Sequence, residues 1–227
     1  MERWSLALRY GLRRALVHLA LVVTAFAGTA AAASPEKPVI WAFGDSLAAG
    51  YGLPPERGFT ARLQAALRRG GVAATVRNGG VAGDTANQAR RRLLWGLRGL
   101  GAPPDLVIVE LGANDMLRGL PVAQARANLD AILAELKRRK IPVLIAGMRA
   151  APNLGRRYGQ AFEAMYPALA RGYGVPLYPF FLDGVAGDRA LIQRDGLHPN
   201  ARGVEIIVAR ILPSVRAALR RPGRGGG

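Results

Sequence analysis

The chain contains no cysteine. That excludes disulfides, a thiolate metal site, a cysteine nucleophile and a lipid anchor acylated on cysteine. Stability must come from the core, and 50% of the residues are hydrophobic. Histidine is almost as scarce, with two among 227 residues. Acidic residues are few as well: 15 stand against 32 basic ones, for a formal net charge of +17. The basic residues are 29 arginines and only 3 lysines, scattered over helix faces such as "RLQAALRRG" and "LKRRK". Aromatic residues, 7% of the chain, do not interleave with them, and no nucleic-acid motif is present, so nucleic acid is not an expected partner. Weak peripheral contact with anionic membrane remains an expectation.

The first 14 residues, "MERWSLALRYGLRR", carry four arginines and one glutamate. A run of 19 follows, "ALVHLALVVTAFAGTAAAA", in which His18 is the sole ionisable side chain. It ends in small residues, with an A-x-A site in "AAAS" before Ser34. A basic start, an apolar middle and a small-residue site in that order read as a secretory signal over residues 1–33. The alternative is an uncleaved anchor, because the run approaches the ~20 residues that span a bilayer. The alanine-rich end favours cleavage, so the protein is expected to be exported, to the periplasm or beyond. Removing 33 residues from 227 leaves 194, enough for one domain, expected over residues 34–219. The end, "RRPGRGGG", residues 220–227, is expected to be a disordered tail.

Short apolar runs alternate with helical patterns along this domain. Strands are expected at Val39–Phe43, Ala73–Arg77, Leu106–Val109, Val143–Ala146 and Val175–Tyr178, each apolar enough to be buried on both faces. Helices are expected at Phe59–Arg69, Thr85–Leu97, Pro121–Arg139, Tyr158–Gly172 and Ala201–Leu219. In Pro121–Arg139, Val122, Ala125, Leu129, Ile132 and Leu136 fall on one face. Asn200 is placed to cap the last helix, and Pro213 is expected to kink or shorten it. Five strands alternating with helices predict an α/β fold with a parallel sheet covered on both faces. In such sheets ligands sit beyond the carboxyl ends of the strands.

The unusual residues lie there. "GDS" follows the first strand, "NGGVAGDT" the second, "ELGAND" the third, and "RDGLHPN" comes some way after the fifth. His18 lies in the leader, so His198 is the one histidine expected in the mature protein, and a serine nucleophile such as Ser46 needs a neighbouring base. Asp195 lies three residues before His198, on the same side of one helical turn, where it can fix the imidazole tautomer. Three donors could stabilise an oxyanion: the N–H of Ser46, the N–H of Gly83 and the side-chain amide of Asn114. Each residue has a plainer reading, with Gly83 and Asn114 as turn formers and Asp195 as a turn aspartate. Asp45, Asp84 and Asp115 read as caps and loop scaffolding. No metal-ligand cluster is visible and no cofactor is expected.

These blocks together, "GDSL", "GDT", "GAND" and "DGLHP", resemble those of the GDSL, or SGNH, hydrolases. The similarity spans roughly Pro38 to Val215. Between the blocks, "GDSLAAGYGLP", "LGANDMLRGLP", "NLGRRYGQAFEAMYPALA" and "VPLYPFFLDGV" are similar to the exported thioesterase I, protease I, lysophospholipase and arylesterase branch. The resemblance implies a three-layer α/β/α, flavodoxin-like fold with a five-stranded parallel sheet. It implies a triad of Ser46, Asp195 and His198 and an oxyanion hole of Ser46, Gly83 and Asn114. It also implies hydrolysis of aryl esters, acyl thioesters and lysophospholipids. An acyl groove is expected along two apolar loops, through Met116, Leu117 and Leu120 on one and Phe180 and Phe181 on the other, although packing under the loops would explain these residues as well. The competing expectations are a carbohydrate or peptidoglycan O-acetylesterase and a non-catalytic lipid-binding envelope protein. Nothing in the residues fixes the oligomeric state, and a monomer is expected.

Overall fold

The computed structural model describes residues 37–220. The expected leader, residues 1–33, lies outside them, as do residues 221–227 of the expected tail.

Five strands form one sheet: β1 (Val39–Gly44), β2 (Thr75–Gly80), β3 (Leu106–Glu110), β4 (Val143–Ala146) and β5 (Leu177–Tyr178). Their order is β2-β1-β3-β4-β5, and every neighbouring pair is parallel. Seven helices are described: α1 (Ser46–Ala49), α2 (Phe59–Arg69), α3 (Ala86–Gly99), α4 (Ala113–Leu117), α5 (Val122–Arg138), α6 (Arg156–Tyr173) and α7 (Ala201–Arg220). Helix α2 packs with α7, while α3 packs with α5 and α5 with α6, so the two sets cover the two faces of the sheet. This is the three-layer α/β/α arrangement expected. Residues on β3 and β4 are buried throughout, as strands covered on both faces require. Among the described residues no helix is long and apolar enough to cross a membrane.

Helix boundaries follow local chemistry. The Thr85 side chain accepts from the Gln88 N–H and the Gln88 side chain from the Thr85 N–H, closing a capping box at the start of α3. Asn200 Oδ1 accepts from the N–H groups of Arg202 (3.0 Å) and Gly203 (3.1 Å), as expected of the cap before α7. Pro213 does not shorten α7. Ile211, Val215 and Ala218 are buried on both sides of it, and that apolar face carries the helix on to Arg220.

Two strands differ from expectation. β2 starts two residues later than Ala73 and runs on through "NGG" to Gly80, because it pairs in register with β1 from Val39↔Thr75 to Gly44↔Gly80. Its last residues are not apolar because there is no room for side chains. A Cβ on Gly79 would lie 2.1 Å from Trp41 Nε1, and one on Gly80 would lie 2.3 Å from the Ala49 nitrogen and 2.6 Å from the Asp45 carbonyl oxygen. β5 is shorter than expected: the Val175 N–H is spent on the Ala170 carbonyl at the end of α6, and Pro176 has none to give.

The contact at Gly80 is with backbone, which cannot swing aside. Gly80→Ala is therefore expected to lower stability by about 1–3 kcal/mol through overpacking. A urea unfolding midpoint equal to that of the unaltered protein would contradict this.

Candidate active site

The carboxyl edge of the sheet gathers the residues singled out from the sequence. β1 ends at Gly44, and Asp45 caps the short α1 by accepting the Leu47 N–H at 3.0 Å. That puts Ser46 at the first position of the helix. Gly50, with φ +78°, ends it in the left-handed region that glycine occupies at little cost.

Ser46 Oγ lies 2.8 Å from His198 Nε2, across 152 residues of chain. His198 Nδ1 lies 2.6 Å from Asp195 Oδ2. The segment that carries both is pinned at its ends: the Gln193 N–H donates to the His198 carbonyl (2.7 Å) and the Asn200 N–H to the Leu191 carbonyl (2.8 Å). The Tyr51 ring stands 4.6 Å from the imidazole. Asp195 Oδ1 accepts from the N–H groups of Leu197 and His198. Those two amides, and then the imidazole, hold the Asp195 carboxyl down at about 2, so it is an anion at any working pH.

Gly83 and Asn114 line the same cavity as Ser46 and His198. Gly83 has φ +83°, and its carbonyl accepts from Arg118 Nη2 at 2.7 Å. Asn114 Nδ2 donates to Asp45 Oδ2 (3.0 Å) and to the Asp84 carbonyl (3.1 Å). The amide is thus fixed in orientation, and donating to a reacting oxygen requires one of these bonds to be shared or exchanged. Asp84 pairs with Arg92, and Asp115 accepts the Ala86 N–H at 2.8 Å. A hydroxyl bonded to an imidazole that is bonded in turn to a carboxylate can pass its proton along the first bond and attack an electrophilic carbon.

The cavity has a volume of about 560 Å³, within the ~300–1,000 Å³ usual for small-molecule sites. Met116, Leu117, Met148, Phe180, Leu182 and Ile192 supply much of its wall. Met116, Leu117 and Phe180 were expected there; Leu120 and Phe181 were too, and they do not line it. The Leu120 carbonyl accepts the Tyr158 hydroxyl at 3.0 Å, which ties that part of the loop to α6. Phe181 is 1% exposed and packs edge-on to Phe59 beneath the site. Met148 and Ile192 were not picked out from sequence, since single apolar residues after a strand or in a loop carry no signal of which side they face. Among the described residues no group of three or more histidine, cysteine or acidic side chains is placed to hold a metal ion.

One acidic residue under the site went unnoticed in the sequence. Glu110 ends β3 and is 1% exposed, with no side-chain partner for its carboxyl and only the backbone N–H groups of Asp45 and Ala48 favouring its charged form. It presses on the turn, since a Cβ on Gly44 would meet Glu110 Oε2 at 2.7 Å. Burial first, and the Asp45 charge second, push its carboxyl well above the ordinary glutamate range. Burial likewise raises Asp45, to about 6, although the Leu47 N–H and the Asn114 amide favour its charged form. Glu110 is therefore the member of the pair that holds its proton to higher pH than an ordinary glutamate. The available signal was an acidic residue closing an apolar strand, "LVIVE".

The sequence model of the GDSL-like lipase/acylhydrolase family matches residues 42–206. The chain is 39% identical over 184 residues to an arylesterase of Vibrio mimicus, covering 81% of this chain and 90% of that protein. It is 39% identical over 157 residues to thioesterase 1/protease 1/lysophospholipase L1 of Escherichia coli strain K12, covering 69% of this chain and 73% of that one. The solved structure of AlinE4, an SGNH-hydrolase family esterase, superposes with a TM-score of 0.69 at 51% identity, covering 81% of this chain and 97% of that one.

The folded chain holds a proton on Glu110 that the unfolded chain releases once the pH passes the ordinary glutamate value. Folding stability should therefore fall as pH rises above that value, and Asp45 adds to the fall between 3.8 and about 6. Glu110→Gln keeps the shape and removes the titration. Its unfolding midpoint is expected to fall less between pH 5 and pH 8 than that of the unaltered protein, and equal slopes would contradict a neutral Glu110.

Proposed function

The chain belongs to the GDSL-like lipase/acylhydrolase family and is an ester hydrolase, and on that premise we propose that Ser46 is its nucleophile, His198 its general base and Asp195 the carboxylate that orients His198. The observation that carries the assignment is the chain of two short bonds, 2.8 and 2.6 Å, that joins Ser46 at the end of β1 to the Asp195–His198 segment 152 residues further along the chain.

In this reading Ser46 Oγ attacks the carbonyl carbon of an ester or thioester while His198 Nε2 takes its proton. The imidazolium that forms sits against the Asp195 anion, which stabilises it. The N–H groups of Ser46 and Gly83 and the Asn114 amide hold the negative oxygen of the tetrahedral intermediate. Collapse of the intermediate returns the proton to the leaving alcohol or thiol and leaves an acyl group on Ser46. Water, deprotonated by His198, then releases the acid.

The substrates proposed are aryl esters, acyl thioesters and single-chain lipids such as lysophospholipids. The apolar cavity supports this over O-acetyl removal from carbohydrate, because an acetyl group would leave most of about 560 Å³ unfilled. The names of the relatives, arylesterase and thioesterase 1/protease 1/lysophospholipase L1, point the same way. All the proposed machinery comes from one chain, which suits a monomer. Tyr51, Leu117 and Leu197 are exposed at the cavity mouth, and with the net charge of +14 that remains when the leader's four arginines and one glutamate are subtracted from +17 this favours weak, salt-sensitive contact with anionic lipid surfaces. The leader read at residues 1–33 would direct the protein to the periplasm or outside the cell.

Ser46→Ala is expected to reduce kcat by at least ~10³ without unfolding the protein, and Asn114→Ala by about 10²–10³. Residual activity near normal in Ser46→Ala would overturn the assignment. A series of p-nitrophenyl esters from acetate to palmitate should show kcat/KM rising beyond acetate, whereas a steep loss beyond acetate would favour the O-acetylesterase reading.

A further inference from the structure

Arg92 sits in "ARRRLLW", where it reads as one of three basic residues on a solvated helix face. Arg90 and Arg91 are exposed as that reading expects. Arg92 instead turns back toward the carboxyl edge of the sheet, where its side chain is 19% exposed. Its Nε donates to Asp84 Oδ2 at 2.5 Å, Nη1 to the Gly79 carbonyl at 2.9 Å and Nη2 to the Gly44 carbonyl at 2.8 Å. The guanidinium carbon lies 4.5 Å from the centre of the Phe43 ring. One planar group therefore bonds the last turn of β1, the end of β2 and the loop beyond β2.

We propose that Arg92 is a positioning residue for the hydrolytic reaction, locking the segments that carry the Ser46 and Gly83 donors to a common frame to which Asn114 is also bonded. This rests on the function proposed above. Gly44 is two residues before Ser46, and Asp84 directly follows Gly83. The Asp84 carbonyl also receives Asn114 Nδ2, whose other acceptor is Asp45, the residue after Gly44. Each of the three donors is thus within two residues of a group bonded to Arg92, or is bonded to such a residue itself. No two of them share a strand, so nothing in the sheet ladder alone fixes their separation to the few tenths of an ångström that oxyanion stabilisation needs.

A plain structural ion pair explains the geometry less well. A largely buried pair gains little net stability after desolvation, and it needs one contact where Arg92 makes three to three segments. Only a guanidinium offers donors in three directions within one plane; a lysine at this site keeps the charge and can satisfy at most part of the set.

The test uses the full chain with Arg92→Lys and Arg92→Ala, each alone and in an Asn114→Ala background, with Ser46→Ala as control and p-nitrophenyl butyrate as substrate. Arg92→Lys is expected to lower kcat about tenfold or more with KM within about twofold, because the interaction lost is made in the transition state. The cost of Arg92→Lys should be smaller when Asn114 is already alanine, since one of the three donors that Arg92 aligns is then absent. Free guanidinium, well below unfolding concentrations, should raise kcat of Arg92→Ala and leave the unaltered enzyme unchanged. Should Arg92→Ala fail to fold, Arg92→Lys and its cycle with Asn114 carry the test. Normal kcat in Arg92→Lys, or losses that multiply independently with Asn114→Ala, would overturn the proposal. If Ser46→Ala is inactive in the same assays, only the role of Arg92 falls; if Ser46→Ala is active, the hydrolytic assignment falls with it.

Discussion

The turn from Gly44 to Ser46 has almost no conformational freedom, and the rest of the site is measured from it. On one side a Cβ at Gly44 would collide with Glu110 and Ala48; on the other, Gly80 lies against the Asp45 carbonyl and the Ala49 nitrogen. The first turn of α1 is therefore wedged between the ends of β2 and β3 with only glycine spacing. A close-packed wedge does not bend gradually, so Ser46 has one position. His198 must come to it, and the bonds at Gln193 and Asn200 bring the Asp195–His198 segment to that point. Asn114 must come to it too, and does so through the Asp45 carboxylate that caps the same turn.

Crowding five acidic residues into this edge creates an electrostatic problem that the structure solves differently at each. Asp195 is near solvent, bonded by two amides and an imidazole, and is held at about 2. Asp84 has Arg92. Asp115 has the Ala86 N–H. Asp45 has two donors but is buried and is raised to about 6. Glu110 has no side-chain donor, and burial pushes it well above the ordinary glutamate range despite the backbone N–H groups of Asp45 and Ala48. The contrast between Asp195 and the two buried carboxyls follows from donors gained against water lost. The carboxylate that touches the imidazole is held ionised, as the proposed orienting partner of an imidazolium has to be.

Much of this was legible in the sequence, and what was not has a common cause. Apolar runs marked β1, β3 and β4 because those strands are buried on both faces, and helical periodicity marked α2, α3 and α5 to α7. Ser46, Gly83, Asn114, Asp195 and His198 stood out because each is a chemically distinct residue after a strand, and the family resemblance supplied their proposed roles. β2 was displaced because its final residues are chosen for absence of side chain, which hydrophobic patterning cannot score. Phe181 was set in the groove because an apolar loop residue beside Phe180 gives no hint of which way it turns; it turns inward to Phe59. Arg92 and Glu110 were missed for the converse reason. Each reads as an ordinary neighbour of its segment, a member of a basic run or the last residue of a strand. Their meaning comes from partners on other elements, which the local pattern does not show.

The strand order also decides how a substrate can lie. Gly83, Ser46 and Asn114 follow β2, β1 and β3, which are adjacent, so the proposed donors span two strand spacings. Met148 and Phe180 follow β4 and β5, the next two strands on the same side. At ~4.8 Å per strand, the apolar wall continues about 10 Å beyond β3, and among the described residues no strand lies beyond β2. A long apolar group therefore has one direction in which to be buried, across β3 toward β5. Under the proposed assignment, an ester carbonyl at the oxyanion donors would lay its acyl chain along that wall and turn its leaving group the other way. Selectivity would then reside mainly in the acyl part, with the leaving alcohol or thiol loosely constrained, which is the arrangement the proposed range of substrates requires.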